Sequence, residues 1–112
     1  MKNVDYAFSV DIINGFIRAV FNVAEYRTFD TFLQLVPISD LKRIIDDISN
    51  NVDTSYKFDL VTLSFENDNV TVEINIDGDK GYGHMDIALF KSLLTDYIAE
   101  YERVFGSNKN IR

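Results

Sequence analysis

Two segments of this chain alternate apolar and polar residues, and each is followed by a segment with the spacing of an amphipathic helix. The alternations cover residues 4–12 and 70–77. A period of two is typical of a half-buried strand, and a period near 3.6 is typical of a helix with one buried face. With 112 residues the chain is the size of one ordinary domain, so we predict a single domain over residues 1–112.

The first alternating segment ends at Asn14-Gly15, the dipeptide most typical of a two-residue hairpin turn. A two-residue turn there places Asp11 opposite Arg18, a favourable cross-strand pair of opposite charges. The alternative is a helix over residues 12–21, but its glycine and its β-branched and aromatic residues count against it. The pattern therefore predicts a β-hairpin.

The segment after this hairpin gives a weaker signal. Residues 26–36 fit either a short helical turn capped by Asp30 or a strand over Phe32–Val36, so we treat them as a connector with possible local structure. Pro37 ends that segment, and Ser39 is a plausible N-cap. We predict a helix over about residues 40–50.

A second hairpin is predicted around a two-residue turn at Asn67-Asp68. In the strand that leads into this turn, Phe58 does not fit the alternation of apolar and polar residues. This mismatch predicts a bulge near Leu60-Val61 that brings Phe58 opposite Ile76. The register predicted for the turn consists of the pairs Phe65–Val70, Leu63–Val72 and Val61–Ile74.

The last predicted helix covers about residues 86–105, with Asp86 as N-cap and Gly106 as C-cap. A glycine-rich link over residues 78–83 precedes it. The predicted fold class is α+β, with two antiparallel hairpins each followed by a helix (ββαββα) and the helices packed on one face of the sheet. The strand order, and whether the hairpins share one sheet, stay open.

The charge of the chain is concentrated in one segment. The net charge is −7, and residues 66–86 hold one basic residue, Lys80, against six acidic residues, a balance of −5. An acidic chain disfavours nucleic acid and anionic membranes as partners, because phosphate binding needs basic residues. The acidic segment is either a solvated surface or a docking surface for a basic protein.

No pattern of catalytic residues stands out. His84 is the only histidine, and no serine lies in a nucleophile-elbow sequence. The run Asp77–His84 lacks the order of a phosphate-binding loop, and Tyr82 occupies the position where a calcium-binding EF-hand needs glycine. We predict a non-enzymatic protein without metal or cofactor; an irregular cation site formed by Asp77, Asp79 and Asp86 is the minor alternative.

Cysteine is absent, so the chain has neither disulfides nor thiolate metal sites, as is common in the cytoplasm. No apolar run approaches the ~18 residues of a membrane span, and the N-terminus has no signal-peptide pattern. We therefore expect a cytoplasmic protein that does not bind membranes.

The acidic stretch and the Asp77–His84 run make the chain resemble bacterial toxin-immunity proteins, including those of contact-dependent growth inhibition. These are small, acidic, cysteine-free cytoplasmic domains. The resemblance is one of overall profile, and no residue-level correspondence is drawn from it. It implies non-enzymatic neutralisation of a toxin nuclease, with acidic groups occupying a site built for nucleic-acid phosphate.

Two functions follow as hypotheses. The first is a protein-binding inhibitor of the immunity type, which neutralises a cognate toxin such as a nuclease by covering its basic surface. The second is a small-ligand or cation-binding accessory domain that uses the Asp77–His84 run. The oligomeric state stays open. The residues predicted to bind the partner protein are Glu66, Asp68, Glu73, Asp77, Asp79, Tyr82, His84 and Asp86.

Overall fold

The computed structural model describes residues 5–50 and 55–106 and has an α+β architecture. A two-stranded sheet comes first, followed by a single 3-10 turn at Ala24–Tyr26, two helices, a four-stranded sheet and a long final helix. The strands are β1 (Tyr6–Asp11), β2 (Phe16–Phe21), β3 (Tyr56–Lys57), β4 (Val61–Glu66), β5 (Asn69–Ile76) and β6 (Asp79–Asp86). The helices are α1 (Arg27–Leu35), α2 (Ile38–Ser49) and α3 (Ile87–Phe105).

The two hairpins predicted from the alternation do not share a sheet. Strands β1 and β2 form one antiparallel pair, and the other four strands form an antiparallel sheet in the order β3-β4-β5-β6. The predicted fold class, with helices on one face of the sheet, is confirmed. An additional helix, α1, and two additional strands, β3 and β6, extend the predicted ββαββα order.

The first hairpin forms, but the predicted two-residue turn is wrong. Four residues, 12–15, connect the strands, so Arg18 lies opposite Ser9 and Asp11 lies opposite Phe16. The Asp11 carboxylate accepts the backbone N–H of Asn14 at 3.0 Å, which closes the wider turn. The register moves by two residues, so every side chain keeps its predicted face.

The connector over residues 26–36 contains helix α1. Its apolar face is buried, with Phe29 and Phe32 fully inaccessible to solvent. Helix α2 begins at Ile38, two residues before the predicted start, with Pro37 rather than Ser39 at the N-cap position. Proline is suited to this boundary because it has no N–H to leave unpaired.

The register of the β4–β5 hairpin is confirmed at all three predicted pairs. The predicted bulge is wrong, because the chain reverses at residues 59–60. The Phe58 N–H donates to the Val61 carbonyl at 2.7 Å. Strand β3 therefore pairs with the edge of β4 that faces away from β5, with Tyr56 opposite Leu63. Phe58 therefore does not lie opposite Ile76.

The predicted caps of the last helix are confirmed. Asp86 accepts the N–H of Leu89 at 3.2 Å, and Gly106 ends the helix with a φ of 85°. The α3 residues Phe90, Leu93, Leu94 and Tyr97 are buried. They meet the apolar face of the four-stranded sheet, where the Phe65 and Phe90 rings pack edge to face.

Candidate protein-binding face

On one face of the four-stranded sheet, no helix of the described residues covers the strands. The core face carries buried residues such as Leu63, Val72 and Met85, and strand alternation turns the intervening residues away from the core. We call the opposite surface the outer face; none of its residues is buried. The outer face consists of Lys57, Thr62, Ser64, Glu66, Asn69, Thr71, Glu73, Asn75, Lys80, Tyr82, His84 and Asp86.

The structure brings five of the eight predicted partner-binding residues onto the outer face. In the β5–β6 register Glu73 lies opposite Tyr82, and Asp86 lies opposite Asn69. The Tyr82 side chain is 56% exposed. The five residues are Glu66, Glu73, Tyr82, His84 and Asp86.

The other three predicted residues lie elsewhere. Asp68 and Asp77 occupy the turns at opposite ends of β5, so about 25 Å of strand separates them. Asp79 lies opposite Ile76 on the core side of the sheet, at the start of β6, where it is exposed to solvent. The eight residues therefore do not form one acidic loop, and the acidic groups are spread over a sheet and its two ends.

The prediction of a glycine-rich link over residues 78–83 is wrong, because these residues belong to strand β6 and its turn. Asp77 and Gly78 both have positive φ, 53° and 86°, which is the type I′ geometry of a two-residue hairpin. Strand β6 extends for eight residues, so Asp79 and Asp86 lie about 23 Å apart at its two ends. The minor alternative of a cation site formed by Asp77, Asp79 and Asp86 has no basis in this geometry.

Cross-strand contacts order the middle of the outer face. The Thr71 hydroxyl and the His84 Nδ1 atom are 2.9 Å apart in a hydrogen bond. The Lys80 ammonium lies 3.6 Å from the Glu73 carboxylate. Together these contacts orient side chains on both sides of Tyr82.

Most acidic groups of this region have no cationic partner. Between residues 55 and 86 the chain has seven acidic and two basic residues, a balance of −5. Within the described residues, the Lys80–Glu73 pair is the ion pair that the four-stranded sheet makes. Glu66, Asp68 and Asp77 are exposed and unpaired in that part of the chain, so their charge is available to a partner.

A groove opens at the edge of this sheet, on the core side. It has a volume of about 1020 Å³ and lies between β2, the start of α1 and the β5–β6 turn. Arg18 and Arg27 contribute positive charge, and Glu25, Asp30 and Asp79 contribute negative charge. The hydrogen bond to Asp30 raises the pKa of the Arg18 guanidinium. Charges of both signs line the groove, so it is not a clear site for a ligand of one sign.

Sequence reasoning missed Lys80 as part of the candidate surface, because the pattern predicts a link over residues 78–83. It missed Thr71, on β5, because the hydrogen-bond partner of Thr71 is His84 on β6. The dipeptide Asp77-Gly78 is a hairpin signal of the same kind as Asn14-Gly15. Applied at that position, this signal would have placed residues 79–86 beside β5.

None of the helices in the described residues is both long enough and apolar enough to span a membrane. Within residues 5–50 and 55–106, no three His, Asp or Glu side chains come together in a group able to hold a metal ion. Comparison with protein-family models, with curated proteins and with solved structures finds no match for this chain.

Proposed function

We propose that this protein is a protein-binding inhibitor of the immunity type, which uses the outer face to cover a basic surface of a partner such as a toxin nuclease. The observation that carries the proposal is a sheet face that no element of the described fold covers, with exposed carboxylates on it and in the turns at both of its ends. Helices occupy the other face, so the outer face can meet a partner without rearrangement of the core. The profile resemblance to toxin-immunity proteins supports the same function.

Electrostatics supports a basic partner. Exposed carboxylates without cationic partners attract a positively charged protein and speed its association, an effect that salt screens. A nuclease binds nucleic acid through basic residues, so exposed carboxylates can occupy the same surface. Glu66 on the outer face, and Asp68 and Asp77 in the turns at the two ends of β5, supply this charge.

Tyr82 supports a localised contact within the charged face. Tyrosine is enriched among the residues that contribute most to binding energy, because it buries a large ring and keeps a hydrogen-bonding hydroxyl. The 56% exposed Tyr82 side chain lies between Lys80 and His84 on the outer side of β6. It is the aromatic residue of the outer face.

Contacts between β6 and α1, on the core side of the sheet, support tight binding at the outer face. A surface that is already held in its bound shape loses little entropy on association. Gly83 sits beneath this part of β6 and leaves room for the Phe29 ring; a Cβ there would lie 2.9 Å from Phe29 Cε2. The Thr28 hydroxyl donates to the Tyr82 carbonyl at 3.2 Å. These contacts hold the backbone of β6 at Tyr82.

The test is affinity capture from a lysate of the native source at low salt, with three immobilised chains compared in parallel. These are the wild type, the double variant Glu66→Lys with Tyr82→Ala, and the control Asp46→Lys, which reverses an exposed acidic residue of α2 that does not belong to the outer face. We expect the wild type and the control to retain the same basic protein, released by rising salt, and the double variant to lose it.

A nuclease assay of the captured protein, with and without this chain, then tests inhibition. Loss of its activity on addition of the wild type, and not of the double variant, would support the immunity function. Equal retention by all three chains would remove the outer face from the mechanism. Capture of no basic protein would count against the inhibitor function.

A further inference from the structure

Three of the four sheet edges in the described residues are short or already engaged. On the edge of β2, the Asp30 carboxylate accepts the Ala19 N–H at 2.7 Å. On the edge of β6, the Thr28 hydroxyl donates to the Tyr82 carbonyl at 3.2 Å. Strand β3 is an edge of only two residues. Short strands and covered edges protect a sheet from pairing with another chain.

Strand β1 is the fourth edge, and its outward main-chain groups are free within the described residues. The Asn22 N–H donates to the Asp5 carbonyl at 3.1 Å, so these two residues form a hydrogen-bonded pair across the hairpin. Such pairs alternate along an antiparallel ladder, so the N–H and C=O groups of Tyr6, Phe8 and Val10 point away from β2. No hydrogen bond among the described residues reaches these six groups.

The sequence and the packing of β1 favour the addition of another strand. Residues 6–10 contain no charged residue and no proline, and the register of β1 contains no bulge. Helix α3 holds the strand from the core side. The Tyr6 hydroxyl donates to Asp96 at 2.6 Å, and the Phe8 ring packs edge to face on Tyr97. The edge is therefore a fixed template for pairing.

Two carboxylates flank this edge, one at each end. Strand alternation places Asp5 and Asp11 on the solvent side of the hairpin, with the small residues Ala7 and Ser9 between them. Neither carboxylate has a cationic partner in the described residues. Hydrogen bonds from Asn14 lower the pKa of Asp11, which keeps it ionised. A strand added along β1 therefore meets a negative charge at each end and none between.

We propose that the free edge of β1 binds an extended segment of another protein as a third strand, and that this segment has a basic residue at each end and apolar residues between. Pairing with the outward main-chain groups supplies affinity, and the side chains supply selectivity. The apolar residues lie beside Tyr6, Phe8 and Val10 on the core side. The basic residues lie opposite Asp5 and Asp11. This edge is separate from the outer face, so the proposal goes beyond the proposed function and does not depend on it.

The same two carboxylates argue against a second copy of this chain as the added strand. An antiparallel pair of β1 strands that uses every outward group is centred on Phe8. That register places Asp5 of each copy opposite Asp11 of the other. Like charges directly opposite each other destabilise a sheet. A shifted register separates the carboxylates but leaves an outward residue of β1 beyond the end of the other β1 strand.

The test is a heteronuclear NMR titration of the isotope-labelled chain, at low salt, with the end-blocked peptide Lys-Val-Thr-Val-Thr-Val-Lys. Amide resonances detect weak binding and locate it. One control peptide replaces both lysines with glutamates. The other is N-methylated at its three valines, which keeps the charge and removes the N–H groups that pair with β1. We expect the lysine peptide to shift the amide resonances of Tyr6, Phe8 and Val10, and both controls to bind about tenfold more weakly.

Two variants of the chain test the position of the site. Asp5→Lys reverses a charge at the edge and should weaken binding of the lysine peptide about fivefold. Asp68→Lys makes the same charge change in the β4–β5 turn and should leave peptide binding unchanged. Asp68 is among the carboxylates that the proposed function uses, so Asp68→Lys should weaken capture of the basic partner alone. The two proposals can therefore fail separately.

A lysine peptide that shifts no resonance of β1 would overturn the proposal, as would equal binding of the N-methylated peptide. Shifts confined to the outer face would assign the peptide to that surface and would also overturn it. Resonances of β1 that change with the concentration of the chain alone, and not with added peptide, would assign the edge to a second copy. That result would overturn the proposal as well.

Discussion

The Asp30 carboxylate of α1 accepts the backbone N–H of Ala19 in β2 at 2.7 Å, and this contact joins the first helix to the first hairpin. The second carboxylate oxygen accepts the Arg18 Nε–H at 2.8 Å. Asp30 is 6% exposed, the one buried charged residue among those described. A buried carboxylate is tolerated when its oxygens are paired in this way.

We expect Asp30→Ala to lower the free energy of unfolding by about 3 kcal/mol, because it leaves the Ala19 N–H unpaired and the Arg18 guanidinium without its partner. The control is Glu100→Ala, which removes an exposed ion pair to Arg103 and should leave stability nearly unchanged. Urea denaturation of both variants measures the difference. Equal stability of the two would contradict this role of Asp30.

Gly83 and Gly81 form a matched pair on the same side of β6. A Cβ at Gly83 would lie 2.9 Å from Phe29 Cε2 and 3.1 Å from Thr28 Cβ, whereas a Cβ at Gly81 meets nothing within 4 Å. We therefore expect Gly83→Ala to destabilise the fold by about 2 kcal/mol through overpacking. Gly81→Ala should be neutral or slightly stabilising. Thermal melts of the two variants compare them directly, and a neutral Gly83→Ala would show that Phe29 can move aside.

Alkaline pH should destabilise the protein through its buried tyrosines. Burial, with smaller contributions from Tyr101 and Asp30, raises the pKa of Tyr97 to about 12. The unfolded pKa is about 10, so the stabilisation is complete below that pH and is lost as pH rises toward the folded value. Burial and a hydrogen bond to Asp47 likewise raise the pKa of Tyr56 to about 12.

Urea unfolding as a function of pH measures this loss. Within the described residues the Tyr97 hydroxyl has no hydrogen-bond partner, so Tyr97→Phe should fold normally and lose less stability than the wild type as pH rises above about 10. An identical alkaline decline in the two proteins would show that Tyr97 does not contribute to it.

Asp86 has two separable roles, as the N-cap of α3 and as an acidic group of the outer face. Asp86→Asn keeps a capping oxygen and removes the charge, whereas Asp86→Ala removes both. We expect Asp86→Ala to cost about 1 kcal/mol of stability and Asp86→Asn to cost much less. If the outer face binds a basic partner, both variants should bind it more weakly. Isothermal titration with the captured partner and thermal melts separate the two roles.

Two Xaa-Gly dipeptides in this chain form turns of different lengths, and the difference shows where prediction from neighbouring residues fails. Asp77-Gly78 forms the two-residue type I′ turn that such dipeptides favour. At Asn14-Gly15 only the glycine has positive φ, because the Asp11 carboxylate binds Asn14 and holds a four-residue turn. Alternation could not reveal the difference, since a shift of two residues leaves every side chain on the same face.

The sequence pattern did not separate a short helical turn from a strand over residues 26–36, because the sequence of helix α1 is a weak helix former on its own. Its two threonines and two phenylalanines all have lower helix propensity than straight-chain residues. Tertiary burial compensates, because Phe29 and Phe32 are fully buried and Asp30 bonds across to β2. Each of these contacts depends on residues distant in sequence.

The sequence by itself determined those features whose causes lie within a few residues of each other. These are the caps of α3, the β4–β5 register around its two-residue turn, and the concentration of acidic residues between 66 and 86. Tertiary structure alone decided which face of the four-stranded sheet stays exposed, and so which of those acidic groups lie beside Tyr82 on a face that no helix of the described residues covers. Local hydrogen bonds and periodicity are encoded in neighbouring residues, whereas the side of a sheet that stays exposed depends on where α1 and α3 pack.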